Sequence, residues 1–187
     1  LYAITQRNTI SPLTNFQFIL PKEDTNSFVS GLFGDITGEG QKDFILILTN
    51  PNSGTRIYSW TLDKNNNFSR LTKPYLIQNN QTESFPTNAQ LSTIYPDKDK
   101  EILISFGSPD RKIIVLDYVG EIKQTETIGK NFLSNLAGPI ILKTTDKNND
   151  NLDDVFIMNN GKKIVEALYL SPNREEQTKE PPINNPV

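Results

Sequence analysis

Residues 144–158 read "TTDKNNDNLDDVFIM". From Asp146 to Asp154, four aspartates and three asparagines occupy seven of nine positions, and the chain then turns apolar. So much oxygen just ahead of a strand-like run has two readings. Aspartate and asparagine hydrogen-bond their own main chain and tolerate left-handed backbone, which makes a polar turn. The alternative is that the oxygens converge on a cation. Numbered from Asp146, oxygen-bearing side chains fall at positions 1 (Asp146), 3 (Asn148), 5 (Asp150) and 9 (Asp154), with Leu152 at position 7. A tightly wound loop directs alternate side chains inward, position 7 offers its backbone carbonyl, and position 9 closes the shell. About six hard oxygens result. That set suits Ca²⁺ better than Mg²⁺, which prefers to keep its waters.

The same plan occurs earlier in the chain. "GLFGDITGEGQKDFILILTNPNSGTRIYSWTLD" (31–63) and "LKTTDKNNDNLDDVFIMNNGKKIVEALYL" (142–170) share an order of features. Each has an apolar approach, an acidic loop, an acid opening a strand, a turn and a second strand. "LSTIYPDKDKEILISFGSPDRKIIVLDYVG" (91–120) repeats it with a shorter loop. The strand-opening acids Asp43, Glu101 and Asp154 are 58 and 53 residues apart, a period of repeated supersecondary units such as propeller blades. In the first loop the equivalent ligands are Asp35, Thr37, Glu39, Gln41 (through its carbonyl) and Asp43, with Gly38 and Gly40 permitting the sharp turn. The middle loop offers only Asp97, Asp99 and Glu101 and is expected to hold no metal.

Other short β-branched and aromatic runs are expected to be strands: "FQFIL" (16–20), "DFILIL" (43–48), "RIYSWTL" (56–62), "EILISF" (101–106), "KIIVLDY" (112–118), "PIILKT" (139–144), "DVFIM" (154–158) and "KIVEALYL" (163–170). Many short strands separated by turn residues predict an all-β sandwich, barrel or propeller over 1–170. The Pro- and Asn-rich segment 171–187 has the composition of a linker or tail.

Composition narrows the chemistry. The 187 residues contain no cysteine and no histidine, which removes thiol chemistry, the usual zinc sites and every imidazole-based catalytic arrangement. The net charge of −3 has no basic face, so nucleic acid is not an expected partner. No apolar run reaches the roughly 18–20 residues of a membrane span. The chain opens "LYAITQ", which reads as the outer strand of a preceding blade, and Leu1 is not expected to be the translated start. Tyr58, Trp60, Phe68 and Tyr75 read as packing residues rather than a sugar platform, and Asp117 with Glu121 does not read as a glycosidase pair.

An EF-hand needs glycine at position 6 and glutamate at position 12 between helices; here those positions are Asn151 and Ile157, and the flanks are β-like. "FGDITGEGQKDFILIL" and "TTDKNNDNLDDVFIM" instead resemble the FG-GAP, or VCBS-type, repeat. Phe33-Gly34 matches that family's Phe-Gly pair, whereas Thr144-Thr145 and Asn151 depart from its pattern. The resemblance implies a calcium-stabilised β-propeller of which this chain carries about three blades, as a partial propeller or a piece of a larger one. It further implies a non-enzymatic protein-interaction or adhesion module, with one or two structural calcium ions and another protein chain as partner. Weak calcium sites fill outside the cell, so an extracellular, cell-surface or periplasmic location is expected. The alternatives are an accessory, substrate-recognition region of a secreted enzyme and a structural subunit of a large assembly.

Overall fold

The computed structural model describes residues 2–4, 10–12, 28–50, 54–63, 67–77, 86–107, 111–128, 140–159 and 162–168. All regular structure among these residues is β-strand. The strand expected at 16–20 and the tail 171–187 lie outside the described residues.

Strands β1 (Tyr2–Ile4) and β2 (Ile10–Pro12) form a two-stranded sheet. The remaining strands form three antiparallel meanders. The first contains β3 (Phe28–Gly34), β4 (Asp43–Asn50), β5 (Gly54–Leu62), β6 (Phe68–Arg70) and β7 (Tyr75–Ile77). Its last two strands pair with opposite ends of β5, β6 through Trp60–Leu62 and β7 through Thr55–Ile57. The second contains β8 (Pro86–Ser92), β9 (Glu101–Phe106), β10 (Lys112–Tyr118) and β11 (Ile122–Ile128). The third contains β12 (Ile140–Thr145), β13 (Asp154–Asn159) and β14 (Lys162–Leu168). None of these sheets closes into a barrel among the described residues.

The period-2 alternation of strand side chains determines how the meanders stack. Ile45, Ile47 and Ile57 of the first meander pack with Ile102, Ile104, Phe106, Ile114 and Leu116 of the second. On the opposite face of the second meander, Leu103, Ile113 and Val115 pack with Leu142, Val155 and Ile157 of the third. The middle sheet is thus covered on both faces. That explains why "EILISF" and "KIIVLDY" read as continuous apolar runs rather than alternating ones. Burying a Leu or Ile side chain contributes roughly 1.5–3 kcal/mol, so these interleaved rows bind the sheets to one another.

The first strands of successive meanders lie side by side, β3 beside β8 and β8 beside β12. Gly34 lies at the first approach, where a Cβ would come within 2.5 Å of Leu91 Cδ1 and force that side chain to shift. Between β8 and β12, Gln90 bridges the sheets in the amide orientation that satisfies both its ends. It donates to the Leu142 carbonyl at 3.3 Å and accepts from Thr144 Oγ1 at 3.0 Å.

The four aromatic residues singled out in the sequence divide between two cores. Tyr58 and Trp60 are buried with Phe44, Leu46 and Leu48, and Phe68 packs against them. The Tyr58 and Trp60 rings are stacked with centroids 5.9 Å apart. Tyr75 packs instead against the core between the first and second meanders.

Candidate metal centre

Each meander has an acid at the first residue of its second strand: Asp43 on β4, Glu101 on β9 and Asp154 on β13. All three are buried, at 0%, 0% and 1% exposure. An isolated buried carboxylate is costly, so each needs a partner. All three find the same one, the backbone N–H seven residues earlier. Ile36 donates to Asp43 Oδ2 at 2.9 Å, Ile94 to Glu101 Oε2 at 2.6 Å, and Lys147 to Asp154 Oδ2 at 2.9 Å. Where the carboxylate is ionised, such bonds are shorter and stronger than neutral ones. They fold the loop back against the strand it precedes.

A second bond joins each meander to the next. The N–H just before the strand acid donates to a carbonyl eight residues before the acid of the preceding sheet: Lys100 to Asp35 at 2.9 Å, and Asp153 to Thr93 at 2.7 Å. Asp153 strengthens the second junction, where its Oδ2 accepts from Ser92 Oγ at 2.7 Å and from the Thr93 N–H at 3.0 Å.

The two loops nominated by sequence take the same backbone course. Positive φ falls at their fourth and sixth positions: Gly38 (70°) and Gly40 (77°) in one, Asn149 (62°) and Asn151 (69°) in the other. Glycine adopts this region freely, and asparagine is among the few other residues that tolerate it. In each loop the first aspartate takes the sixth N–H on its Oδ2, Gly40 to Asp35 at 2.7 Å and Asn151 to Asp146 at 2.9 Å.

Within residues 35–43, Thr37 Oγ1 lies 3.2 Å from Asp35 Oδ1 and 3.4 Å from Asp43 Oδ2, which brings positions 1, 3 and 9 together. Glu39 and Gln41 are exposed. Asp43 Oδ1 is sealed from solvent without a hydrogen-bond partner. Burial raises the Asp43 carboxyl above its ordinary range; the Ile36 N–H opposes this, and the charge of Asp35 adds to it.

Within residues 146–154, Asp146 Oδ1 accepts from the Asn149 and Asp150 N–H groups at 2.7 and 3.2 Å. Asn148 Nδ2 donates to Asp150 Oδ2 at 3.0 Å, and Asp150 Oδ1 accepts from the Leu152 N–H at 2.9 Å. Positions 1, 3 and 5 are thus wound into one turn, and the Leu152 side chain is buried. The donors in both loops are oxygens alone, a chemistry that fits a hard cation and excludes a soft one. If calcium bound here, Asp146, Asn148, Asp150, Asp154 and the Leu152 carbonyl would hold it in one loop. Asp35, Thr37, Glu39, Asp43 and the Gln41 carbonyl would hold it in the other.

Among the described residues, one trio of acids draws its carboxylate oxygens within 4.8 Å of one another, and it lies in neither nominated loop. It is Asp97, Asp99 and Glu101, which run from exposed through half-buried to fully buried. Burial pushes the Glu101 carboxyl up to about 7; the Ile94 N–H works against this, while the charges of Asp97 and Asp117 add to it. Asp97 is pushed up to about 6, first by partial loss of water and then by its hydrogen bond to Asp99 and the charges of Asp99 and Asp117. Asp117 is raised by burial and, further, by the charge of Asp99.

Sequence reasoning set this loop aside because it is short. A usable signal was the alternation of acids at 97, 99 and 101 running into the strand. Asp117 could not be foreseen. It and Glu101 each lie one residue beyond the Leu116–Ile102 pair of β10 and β9, so strand pairing brings them together. Glu121 is not its partner; that side chain is exposed and forms an ion pair with Lys123 at 3.2 Å.

No family model matches the chain, and neither a curated protein nor a solved structure matches it.

Proposed function

We propose that this chain is a non-enzymatic protein-interaction or adhesion module built of FG-GAP-like β-propeller blades, as part of a propeller, with calcium as a structural ion in loops 35–43 and 146–154. The observation that carries the reading is the likeness of the two loops. Their sequences differ at most positions, yet both place positive φ at the fourth and sixth residues and both bond the first aspartate to the sixth N–H. The bond from each sheet to the next, made at equivalent positions in both junctions, supports treating the meanders as copies of one unit.

The ion's role in this reading is mechanical. It would neutralise the clustered carboxylates and fix each loop between two strands, so that the sheets present a constant outer surface to a partner chain. Sites of this kind in extracellular modules bind at roughly 10⁻⁴–10⁻³ M, an affinity that suits a module outside the cell, at its surface or in the periplasm.

The test is thermal unfolding in EGTA and then with calcium titrated to millimolar excess, for the native chain and for Asp146→Ala/Asp150→Ala. The expected result is a rise in Tm with calcium that the double substitution reduces. A native chain that is folded throughout and whose Tm does not respond to calcium would make both loops ordinary polar turns.

A further inference from the structure

We infer that Asp97, Asp99 and Glu101, with Asp117 beside them, form a binding site for a divalent cation, separate from the two loops discussed above. The inference stands on its own geometry and holds whether or not those loops bind metal.

The first observation is convergence. One carboxylate oxygen from each of Asp97, Asp99 and Glu101 lies within 4.8 Å of the others. Oxygens on opposite sides of a calcium ion, bound at about 2.3–2.6 Å, are about 4.6–5.2 Å apart; for magnesium the span is about 4.0–4.2 Å. Oxygens drawn within 4.8 Å of one another can therefore share one divalent ion.

The second observation is an unspent oxygen. Glu101 is completely buried, and its Oε2 is used by the Ile94 N–H. Its Oε1 is sealed from solvent and has no hydrogen-bond partner. A buried acceptor left in that condition costs about 1–3 kcal/mol, more when charged, and native proteins rarely retain one without a use. A cation at the trio would supply the missing partner.

The third observation is the absence, among the described residues, of a competing cation. None of the four carboxylates forms an ion pair with a described lysine or arginine. Lys98 and Lys100 alternate with the acids in sequence; the Lys98 Cβ lies beside Gly38 of the 35–43 loop and the Lys100 Cδ beside Gly34. Lys123, the cross-strand partner of Asp117, is engaged by Glu121. The exposed Asp97 leaves the site open on one side, where an ion would enter and keep some of its waters.

Calorimetric titration of the full chain with calcium tests this. Asp97→Asn/Asp99→Asn is the informative variant because Asp97 is exposed and Asp99 half-buried, unlike the fully buried Glu101; Asp97→Asn alone serves if the pair fails to fold. The expected result is that these substitutions abolish one calcium equivalent or weaken it at least tenfold. Asp146→Ala/Asp150→Ala should leave that equivalent intact. Stoichiometry and affinity unchanged in the folded Asp97 variants would overturn the site. Calcium bound at the trio but at neither loop would refute the preceding proposal and sustain this one.

Discussion

Replacing Asp154 by alanine isolates the bond by which a strand-opening acid holds its loop. Asp154 is 1% exposed, and its Oδ2 accepts the Lys147 N–H at 2.9 Å. Hydrogen bonds to charged acceptors contribute about 1.5–3 kcal/mol, and a donor left unpaired in a buried setting loses that in full. Alanine at 154 should therefore destabilise the metal-free protein by about 2–3 kcal/mol. For a chain of this length that lowers Tm by roughly 4–12 °C. Asparagine keeps a neutral acceptor, so Asp154→Asn should cost about half as much. Urea denaturation followed by circular dichroism, in chelated buffer at pH 7, gives both values; the midpoint should move without a change in slope. Calcium at a hundredfold excess over its Kd should stabilise the native chain by about a further 2.7 kcal/mol and the variant by less. The equivalent substitution of Asp43 should cost less in metal-free buffer, because it also removes a buried oxygen that has no partner. A loss below about 0.5 kcal/mol for Asp154→Ala would refute the argument. It would mean that water reaches the Lys147 N–H and that the acid does not hold the loop.

Two further outcomes follow from the same geometry. The Glu101 carboxyl lies at about 7 in the fold against 4.5 for the free group, so between those values the native state holds more protons than the unfolded chain. Its contribution is fully present below about pH 4.5 and is lost as pH rises through about 7, costing metal-free protein up to about 3 kcal/mol. Glu101→Gln should flatten that fall in urea midpoints measured from pH 5 to 8, and a native profile that rises across the interval would contradict the burial of an unpaired acid. Gly40 has φ of 77° with open space around it, so Gly40→Ala should lose about 1–2 kcal/mol from backbone strain alone; an unchanged midpoint would mean the loop accepts another course.

The strands with the clearest sequence signal are those at the centre of the sheets. "EILISF" and "KIIVLDY" coincide with β9 and β10, residue for residue. The expected strand "KIVEALYL" overlaps β14, Lys162–Leu168. The turn chemistry was legible too, since Gly38 and Gly40 occupy left-handed positions and asparagine does the same at 149 and 151. The strands β8, "PTNAQLS", and β11, "IKQTETI", carried no such signal. They are at the edges of their meander, where one neighbour's hydrogen bonds make a strand of a polar segment whose own side chains do not require it.

What the sequence determined by itself was therefore local: which segments must be buried, and where the backbone needs glycine or asparagine. Those properties depend on residues close in the chain, where apolar content and allowed φ act directly. The tertiary structure decided which acids share one space. Asp117 and Glu101 are sixteen positions apart in the sequence and meet only because β10 returns antiparallel along β9. The oxygen that Glu101 leaves unpaired is likewise a product of packing: sheets closing on both faces of the middle meander remove the water that would otherwise have satisfied it.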